Sequence, residues 1–241
     1  MMPLVTVILS AWNRLQYLEA QIESLRCQSL NPLNIWLWAD RHPLNNHKTY
    51  DYLDIDKLFL TNCGSGVYGR FSAALLVSTE YVAILDDDMI PGRRYLENCL
   101  TTCVATDAIV AAAGVQFLSS EQYLPCDRFG WTARTAKVMP VDVGCNGWFL
   151  RKEWVKYLWM EPPYDWTNGE DMQLSFLAQK YGGISTVTPA QATEEFCATT
   201  SILGRDEVAL SSKTTHYMAR SEQLKDQLKR GWKTVKRVEL L

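Results

Sequence analysis

One stretch constrains the fold more than any other. Tyr81–Leu85 is an unbroken apolar run, and three aspartates follow it directly, Asp86, Asp87 and Asp88. An apolar run without polar alternation predicts a strand that is buried on both faces, as in a parallel sheet. Pro91 predicts that this strand ends soon afterwards, because proline cannot donate to a β-ladder. Open α/β sheets bind ligands at the carboxyl ends of such strands, so we expect the three carboxylates to lie at a binding site.

The three adjacent carboxylates point to a metal ion. Like charges this close repel one another, and a hard divalent cation with oxygen ligands relieves the repulsion. We predict that Asp86 and Asp88 hold Mg²⁺ or Mn²⁺, which bridges the phosphates of a bound nucleotide, with Asp87 beside it. Asp86 could instead face the ribose hydroxyls. The alternative is a helix cap before residue 93, but one aspartate is enough for that role.

Size and composition limit the class of protein. A length of 241 residues predicts one large domain, and a hydrophobic content of 47% describes a folded protein. The net charge of −3 provides no basic field, so we expect no nucleic-acid partner. No apolar run is long enough for a membrane span, and the seven scattered cysteines suit a reducing compartment, so we expect a cytoplasmic enzyme.

Strands and helices alternate along the first half of the chain. Apolar runs at 4–9, 33–38 and 57–60 predict strands, and apolar residues at helical spacing follow the first of them. This order predicts an α/β fold, a single domain with a mostly parallel central sheet flanked by helices. Further strands are expected at 108–113, 141–150 and 184–187, and helices at 50–55, 71–78, 93–106, 152–160, 170–181 and 222–238. Residues 116–140 are expected to form an irregular excursion.

Two residues near the amino-terminal strands suit nucleotide binding. Asp40 follows the second strand and can accept a hydrogen bond from a uracil N3–H or a ribose hydroxyl, although a turn cap explains it equally well. Arg70 follows a glycine-rich loop at 62–69 and can face phosphate at a helix N-terminus. The loop lacks the strand–turn context of a dinucleotide fingerprint, so we do not predict that motif.

A second acidic motif lies at the start of a later helix. Glu170 and Asp171 occupy its first turn, where the helix dipole favours ionised carboxylates at neutral pH. An ionised carboxylate on a rigid element can act as general base and take the proton from an acceptor hydroxyl. Helix capping is the alternative interpretation.

Four other side chains in the second half are candidates for the site. His216 can complete the coordination of the metal or bind the diphosphate, and Arg220 can pair with phosphate. His216 lies in a polar stretch at 213–216, so a surface histidine is the alternative. Trp148 and Trp166 flank the Gly147 bend and the acidic helix, and we predict that they stack on an acceptor sugar. Tryptophans of this kind are otherwise core residues.

These motifs together resemble the glycosyltransferases of the GT-A fold, in the family 2-like superfamily. The matching segments are residues 7–14, Asp40, residues 84–88, residues 146–151 and residues 169–174. The resemblance covers residues 3–190 and implies a Rossmann-like GT-A domain. It further implies transfer of a sugar from a nucleotide diphosphate sugar, usually a UDP-sugar, to a hydroxyl of a glycan or other acceptor, with Mn²⁺ or Mg²⁺.

The resemblance also assigns roles to individual residues. It implies that Asp88 binds the metal, that Asp86 lies by the ribose and the metal, and that Asp40 reads the base. Asp171 matches the base of the inverting members, and His216 matches a late histidine that joins the metal site. The predicted nucleotide-binding set is Ser10, Asn13, Arg14, Asp40, Arg70, Asp86, Asp87 and Arg220.

Other functions stay open at this point. The exostosin-like retaining transferases share a triple aspartate and a late histidine–arginine pair, so the stereochemistry is undecided, although the position of Asp171 favours inversion. A nucleotidyltransferase requires a glycine-rich signature after the first strand, and residues 10–14 contain no glycine. A non-catalytic carbohydrate- or nucleotide-binding module of the same fold is the remaining alternative.

The resemblance divides the chain into three parts. Residues 1–218 form the predicted transferase domain, with the nucleotide-sugar-binding half at about 1–115 and the acceptor-binding half at about 116–218. Residues 219–241 form a basic helix with apolar residues at helical spacing. Such a helix can lie on an anionic membrane surface or dock on an adjoining domain, and a solvated face is the alternative.

Overall fold

Apolar runs without alternation form the strands of the sheet. The computed structural model describes residues 3–12, 14–31, 33–41, 47–131, 133–199, 206–207 and 209–236. The strands are β1 (Val5–Ala11), β2 (Leu33–Asp40), β3 (Lys57–Thr61), β4 (Tyr81–Leu85), β5 (Ile90–Pro91), β6 (Ile109–Phe117), β7 (Cys126–Phe129), β8 (Met139–Val141), β9 (Val143–Arg151), β10 (Thr186–Thr188) and β11 (Ala198–Thr199).

Five α-helices accompany these strands in the described residues: α1 (Leu18–Arg26), α2 (Gly69–Ala74), α3 (Tyr95–Thr106), α4 (Glu170–Gly182) and α5 (His216–Lys229). Short 3₁₀ helices lie at Leu15–Tyr17, His47–Thr49, Gly66–Tyr68, Lys152–Trp159, Glu194–Phe196 and Leu210–Ser212. None of the helices in the described ranges is both long enough and apolar enough to cross a bilayer.

The main sheet has the order β3-β2-β1-β4-β9-β6-β10-β8, and β7 pairs with β6. Strands β3, β2, β1 and β4 are mutually parallel, whereas β9 runs antiparallel between β4 and β6. All residues of β4 are buried, as expected for a strand with neighbours on both sides and layers on both faces. The prediction of a single α/β domain with a mostly parallel central sheet flanked by helices is confirmed.

A second apolar cluster fixes the carboxyl-terminal part of the described chain. Trp232, which follows α5, packs against Phe117 and Phe176 at ring-centroid distances of 5.5 and 5.9 Å. Leu224 of α5 is fully buried in the same cluster. Helix α5 therefore packs on the domain through its apolar side, and it begins at His216, earlier than the predicted 222.

Several predicted elements differ from the structure. Residues 50–55 form turns where a helix was expected. The segment 116–140 contains the end of β6 and the strands β7 and β8, which are too short to show a clear alternation. Pro91 belongs to a short strand, β5, which pairs antiparallel with β11 outside the main sheet.

One buried amide fixes the turn after β4. The Gln21 side chain, on α1, is fully buried, and its Nε2 donates to the carbonyls of Asp86 and Met89, each at 2.8 Å. On the other side, the Asp86 amide donates to the Asn146 carbonyl at 3.0 Å. The backbone that carries the three aspartates is therefore held from α1 and from β9.

Replacing Gln21 by leucine should destabilise the fold by about 1–3 kcal/mol, because buried carbonyls lose their donor. Urea unfolding of Gln21→Leu measures the loss. Gln16→Leu is the matched control, since Gln16 is exposed on the preceding 3₁₀ helix. Equal stability of the two variants would contradict a structural role for the Gln21 amide.

Candidate active site

A cavity of about 820 Å³ lies at the carboxyl ends of β1, β2 and β4 and extends to the first turns of α4 and α5. It brings together most of the residues predicted from the sequence. The predicted residues that line it are Ser10, Arg14, Asp40, Arg70, Asp86, Asp87, Asp88, Trp148, Glu170, Asp171, His216 and Arg220. Asn13 lies outside the described residues.

Two arginines hold the three aspartates after β4. Arg14 Nη1 lies 2.5 Å from Asp87 Oδ1 and 3.4 Å from Asp88 Oδ2, and Arg70 Nη2 lies 2.8 Å from Asp86 Oδ1. Arg14 also binds Asp206, with its Nε donating to Oδ2 at 2.7 Å and its Nη2 donating to Oδ1 at 2.8 Å. Arg14 thus ties the segment before α5 to the acidic triplet, a contact between distant parts of the chain that no local motif indicates.

Arg70 connects the two acidic motifs. Its Nη2 lies 2.8 Å from Asp86 and 2.9 Å from Glu170 on α4. The guanidinium also lies over the Trp148 ring, 5.3 Å from its centroid. Arg70 therefore holds two carboxylates in this structure, where the sequence predicted a contact with phosphate.

Asp171 is fully engaged by hydrogen bonds. Its Oδ2 accepts from Arg220 Nη2 at 2.6 Å and from Cys145 Sγ at 3.8 Å, and its Oδ1 accepts from the Met172 amide at 2.7 Å. Arg220 is itself buried and lies 4.5 Å from the centroid of the Tyr123 ring. Both oxygens of Asp171 therefore already accept hydrogen bonds from within the fold.

Glu170 has a different environment. Burial and the neighbouring charge of Asp171 raise the pKa of Glu170 to about 7, although Arg70 opposes the shift. The expectation that the helix dipole keeps both acids ionised at neutral pH is wrong for Glu170, because desolvation outweighs the dipole. A carboxylate with a pKa near neutrality is suited to take up a proton.

The acidic triplet fits a divalent cation in part. Burial, together with repulsion from neighbouring carboxylates, raises the pKa of both Asp86 and Asp88 above the usual value. Asp88 Oδ1 is buried and has no hydrogen-bond partner. The acidic triplet and the two acids of α4 lie beside three arginines, whereas the described cavity lining as a whole carries six acidic and six basic side chains.

The structure does not bring His216, the predicted third metal ligand, together with Asp86 and Asp88. Among the residues that the structure describes, no group of three or more His, Cys, Asp or Glu side chains is arranged to hold a metal ion. Burial and the charge of Arg220 lower the pKa of His216 to about 4, so the imidazole is neutral at pH 7. The ring packs edge-on against Tyr217, at a centroid distance of 4.8 Å.

Asp40 is bound to the glycine-rich loop. Its carboxylate accepts from the amides of Gly64 and Ser65 at 3.1 and 2.7 Å, and from the Ser65 and Thr61 hydroxyls at 2.6 and 3.2 Å. Burial opposes ionisation, but these hydrogen bonds outweigh it and lower the pKa of Asp40. The side chain therefore holds the loop, as in the turn-cap interpretation.

The two predicted sugar-stacking tryptophans have different positions. The Trp148 ring is only 2% exposed, its Nε1 donates to the Gly144 carbonyl at 2.9 Å, and Phe71 packs on it edge-on. Trp148 thus forms the floor of the cavity. Trp166 does not line the cavity and is 58% exposed, with its ring edge-on to Tyr68.

Sequence reasoning missed Tyr123, Cys145 and Asp206. Tyr123 lies in the segment expected to be irregular, and its hydroxyl accepts from Arg220 at 3.2 Å. Cys145 contacts Asp171 from β9. Neither Tyr123 nor Cys145 belongs to a motif with a recognisable spacing. Their contacts with Arg220 and Asp171 join residues that are far apart in the sequence.

No family model and no curated protein sequence matches the chain. Among solved structures, the chain is similar to the mannosyltransferase PcManGT from Pyrobaculum calidifontis in complex with GDP-Man and Mn²⁺, with a TM-score of 0.58 and 16% identity. The fold is glycosyltransferase-like. The match covers 88% of this chain and 60% of the solved chain, so this chain spans slightly less than two thirds of that structure. At this identity the similarity concerns the fold alone.

The raised pKa of Glu170 has a consequence for stability. The folded state retains a proton on Glu170 up to about pH 7, whereas the unfolded chain releases it near pH 4.5, so wild-type stability falls as pH rises through this window. Glu170→Gln removes this ionisation. At pH 8 the variant should be more stable than the wild type by up to about 3 kcal/mol, and near pH 4 the difference should vanish.

Urea unfolding at both pH values measures this effect. Glu153→Gln is the matched control, because Glu153 is exposed. A Glu170→Gln variant that is less stable than the wild type at pH 8 would show that Glu170 is ionised favourably in the fold.

Proposed function

We propose that the chain is a metal-dependent glycosyltransferase that moves a sugar from a nucleotide diphosphate sugar to a hydroxyl of a glycan or other acceptor. The observation that carries the proposal is the acidic triplet after β4, in which burial raises the pKa of Asp86 and of Asp88 and Asp88 Oδ1 has no hydrogen-bond partner among the described residues. The fold of the solved mannosyltransferase, whose structure holds GDP-Man and Mn²⁺, supports the same class of donor and cation.

Asp86 and Asp88 would hold the cation, Mn²⁺ or Mg²⁺. When bound, the ion supplies Lewis-acid stabilisation of the charge on the departing diphosphate. Arg14 keeps Asp87 and the segment before α5 in place, and Arg70 keeps Asp86 aligned with Glu170. The cavity volume of about 820 Å³ is within the range of sites that enclose a ligand larger than a single sugar.

Glu170 is the proposed proton acceptor. The acceptor oxygen attacks the anomeric carbon, the bond from that carbon to the diphosphate oxygen breaks, and the acceptor proton passes to Glu170. This moves the role of base from Asp171, favoured by the sequence, to its neighbour, because both Asp171 oxygens are engaged. A direct displacement of this kind inverts the anomeric configuration. Asp171 acts as a positioning residue that fixes Arg220 and α5.

The proposed acceptor contact is Trp166. The Trp166 backbone carbonyl lies close to Gly66, since a Cβ added to Gly66 would be 2.7 Å from the carbonyl oxygen. The loops that carry these two residues therefore touch. Gly66 and Thr167 line the cavity, so this contact lies at its edge. An exposed indole at this rim can pack on the apolar face of a sugar ring. Trp148 has no free ring face for this, since Phe71 and Arg70 cover it.

The first test of the function is metal-dependent binding of nucleotide sugars. Calorimetric titration with a panel of nucleotide diphosphate sugars should show binding with Mn²⁺ that chelator removes. Asp88→Asn should abolish the metal-dependent part, whereas Asp51→Asn, at an exposed site, should leave it unchanged. Binding that is indifferent to metal and to Asp88 would favour the non-catalytic module.

The second test separates Glu170 from Asp171. Glu170→Gln should lower kcat by about a hundredfold to ten-thousandfold with little change in KM, since only the proton acceptor is lost. The wild-type kcat/KM should rise with pH through about 7, where Glu170 ionises. An NMR assignment of the product anomer reads out the stereochemistry.

Two results would contradict this assignment. Full activity in Glu170→Gln would exclude Glu170 as the base. A retained anomeric configuration in the product would instead favour the exostosin-like alternative, in which no single base performs a direct displacement.

A further inference from the structure

The carboxylate expected to read the donor base is already occupied. Asp40 accepts four hydrogen bonds from the loop after β3, shared between both of its oxygens. A uracil N3–H needs an acceptor, and Asp40 could serve only by giving up a bond that holds Gly64 or Ser65. The structure therefore removes the main reason to expect uridine.

The next residue presents a guanidinium to the same end of the cavity. Arg41 lines the cavity, and its backbone has a left-handed φ of 56°, which turns the side chain away from the course of β2. The guanidinium packs directly on Gly64, since a Cβ added to Gly64 would be only 2.1 Å from Arg41 Cζ. Asp40 thus holds the Gly64 backbone on which the Arg41 side chain rests.

Arg41 has unused hydrogen-bond donors. Within the described ranges its side chain forms no ion pair and no hydrogen bond, whereas Arg14, Arg70 and Arg220 are all paired with carboxylates. The guanidinium of arginine offers a planar fork of N–H groups that matches two adjacent acceptors. Five arginines line the cavity, and the fifth, Arg128, lies over the Trp131 ring at 5.6 Å from its centroid. Arg41 is therefore the one whose fork has no partner among the described residues.

Neighbouring side chains complete a site for a flat ring. Trp12, at the end of β1, lines the cavity and is 43% exposed, so its indole face is available for stacking. Trp38, on β2, also lines the cavity, and its buried Nε1 has no hydrogen-bond partner in the described part of the chain.

The separation between the acidic triplet and Arg41 fits the length of a nucleotide. Strand β1 lies between β4 and β2, so the ends of β4 and β2 are two strand spacings apart, about 10 Å. A nucleotide whose diphosphate lies at Asp86 and Asp88 would reach across the end of β1 toward Arg41 with its base.

We propose that Arg41 is a specificity-determining residue that binds the O6 and N7 edge of guanine, so that the donor is a guanosine diphosphate sugar. This inference rests on the proposed function. On the major-groove edge, guanine alone among the common bases presents two adjacent acceptors, O6 and N7. Cytosine places O2 beside N3 on its Watson–Crick edge, so CDP is the nucleotide that competes most directly with GDP for the guanidinium fork. On the corresponding edges, adenine and cytosine place an amino group, and uracil has N3–H beside O4, where a guanidinium fork gains at most one bond.

Nucleoside diphosphates with Mn²⁺ are the probes. Calorimetry with the full chain should give tighter binding of GDP than of UDP, ADP or CDP. Arg41→Met should weaken GDP binding by about tenfold to a hundredfold and change UDP binding little. Arg41→Lys, which keeps the charge but loses the fork, should recover only part of the GDP affinity. Arg93→Met, at an exposed site outside the cavity, is the matched control.

The analogue 7-deaza-GDP, which lacks the N7 acceptor, tests the contact itself. It should bind the wild type less tightly than GDP does, and Arg41→Met should bind both equally.

UDP binding as tight as GDP binding in the wild type would overturn the inference. An equal loss of affinity for all nucleotides in Arg41→Met would also overturn it, because that result would place Arg41 on the phosphates. Metal-dependent binding of UDP alone would still support the transferase, whereas absence of binding by every nucleotide would refute the proposed function.

Discussion

A buried guanidinium joins the two acidic ends of the cavity. Arg70 lies between Asp86, which follows β4, and Glu170, which begins α4. Without this cation, two carboxylates from distant parts of the chain would face each other in a buried space, and both would keep their protons to a higher pH. Arg70 thus sets the charge balance between the end of β4 and the first turn of α4.

The buried charges cost stability and are retained for their positions. Removing an ion from water is expensive, and a buried pair recovers that cost only with good geometry and further hydrogen bonds. The site meets this condition unevenly. Both oxygens of Asp171 accept hydrogen bonds, whereas burial raises the pKa of Asp86, Asp88 and Glu170 above the usual range. Carboxylates that the fold itself leaves poorly compensated are the ones available to a cation or a proton.

The sequence predicted the parts of the fold and the site that local pattern determines. The apolar run of β4 followed by aspartates identified both the central strand and the cavity edge, because burial and charge alternate abruptly there. What a side chain binds was harder to predict. Arg70, Asp40 and Arg220 were expected to touch ligand, and the contacts that each makes within the protein were not foreseen. Such pairings depend on residues about 25 to 100 positions away and leave no periodic signal.

Helix α5 and Trp232 add a consequence for how the site is completed during synthesis. Arg220 reaches Asp171 only when α5 is packed, and Trp232 closes the apolar cluster beneath that helix. While the ribosome still holds the residues after α4, Asp171 has no guanidinium partner and the cluster around Phe176 is open. In the nascent chain the cavity therefore lacks the Arg220 contact with Asp171 until α5 has packed.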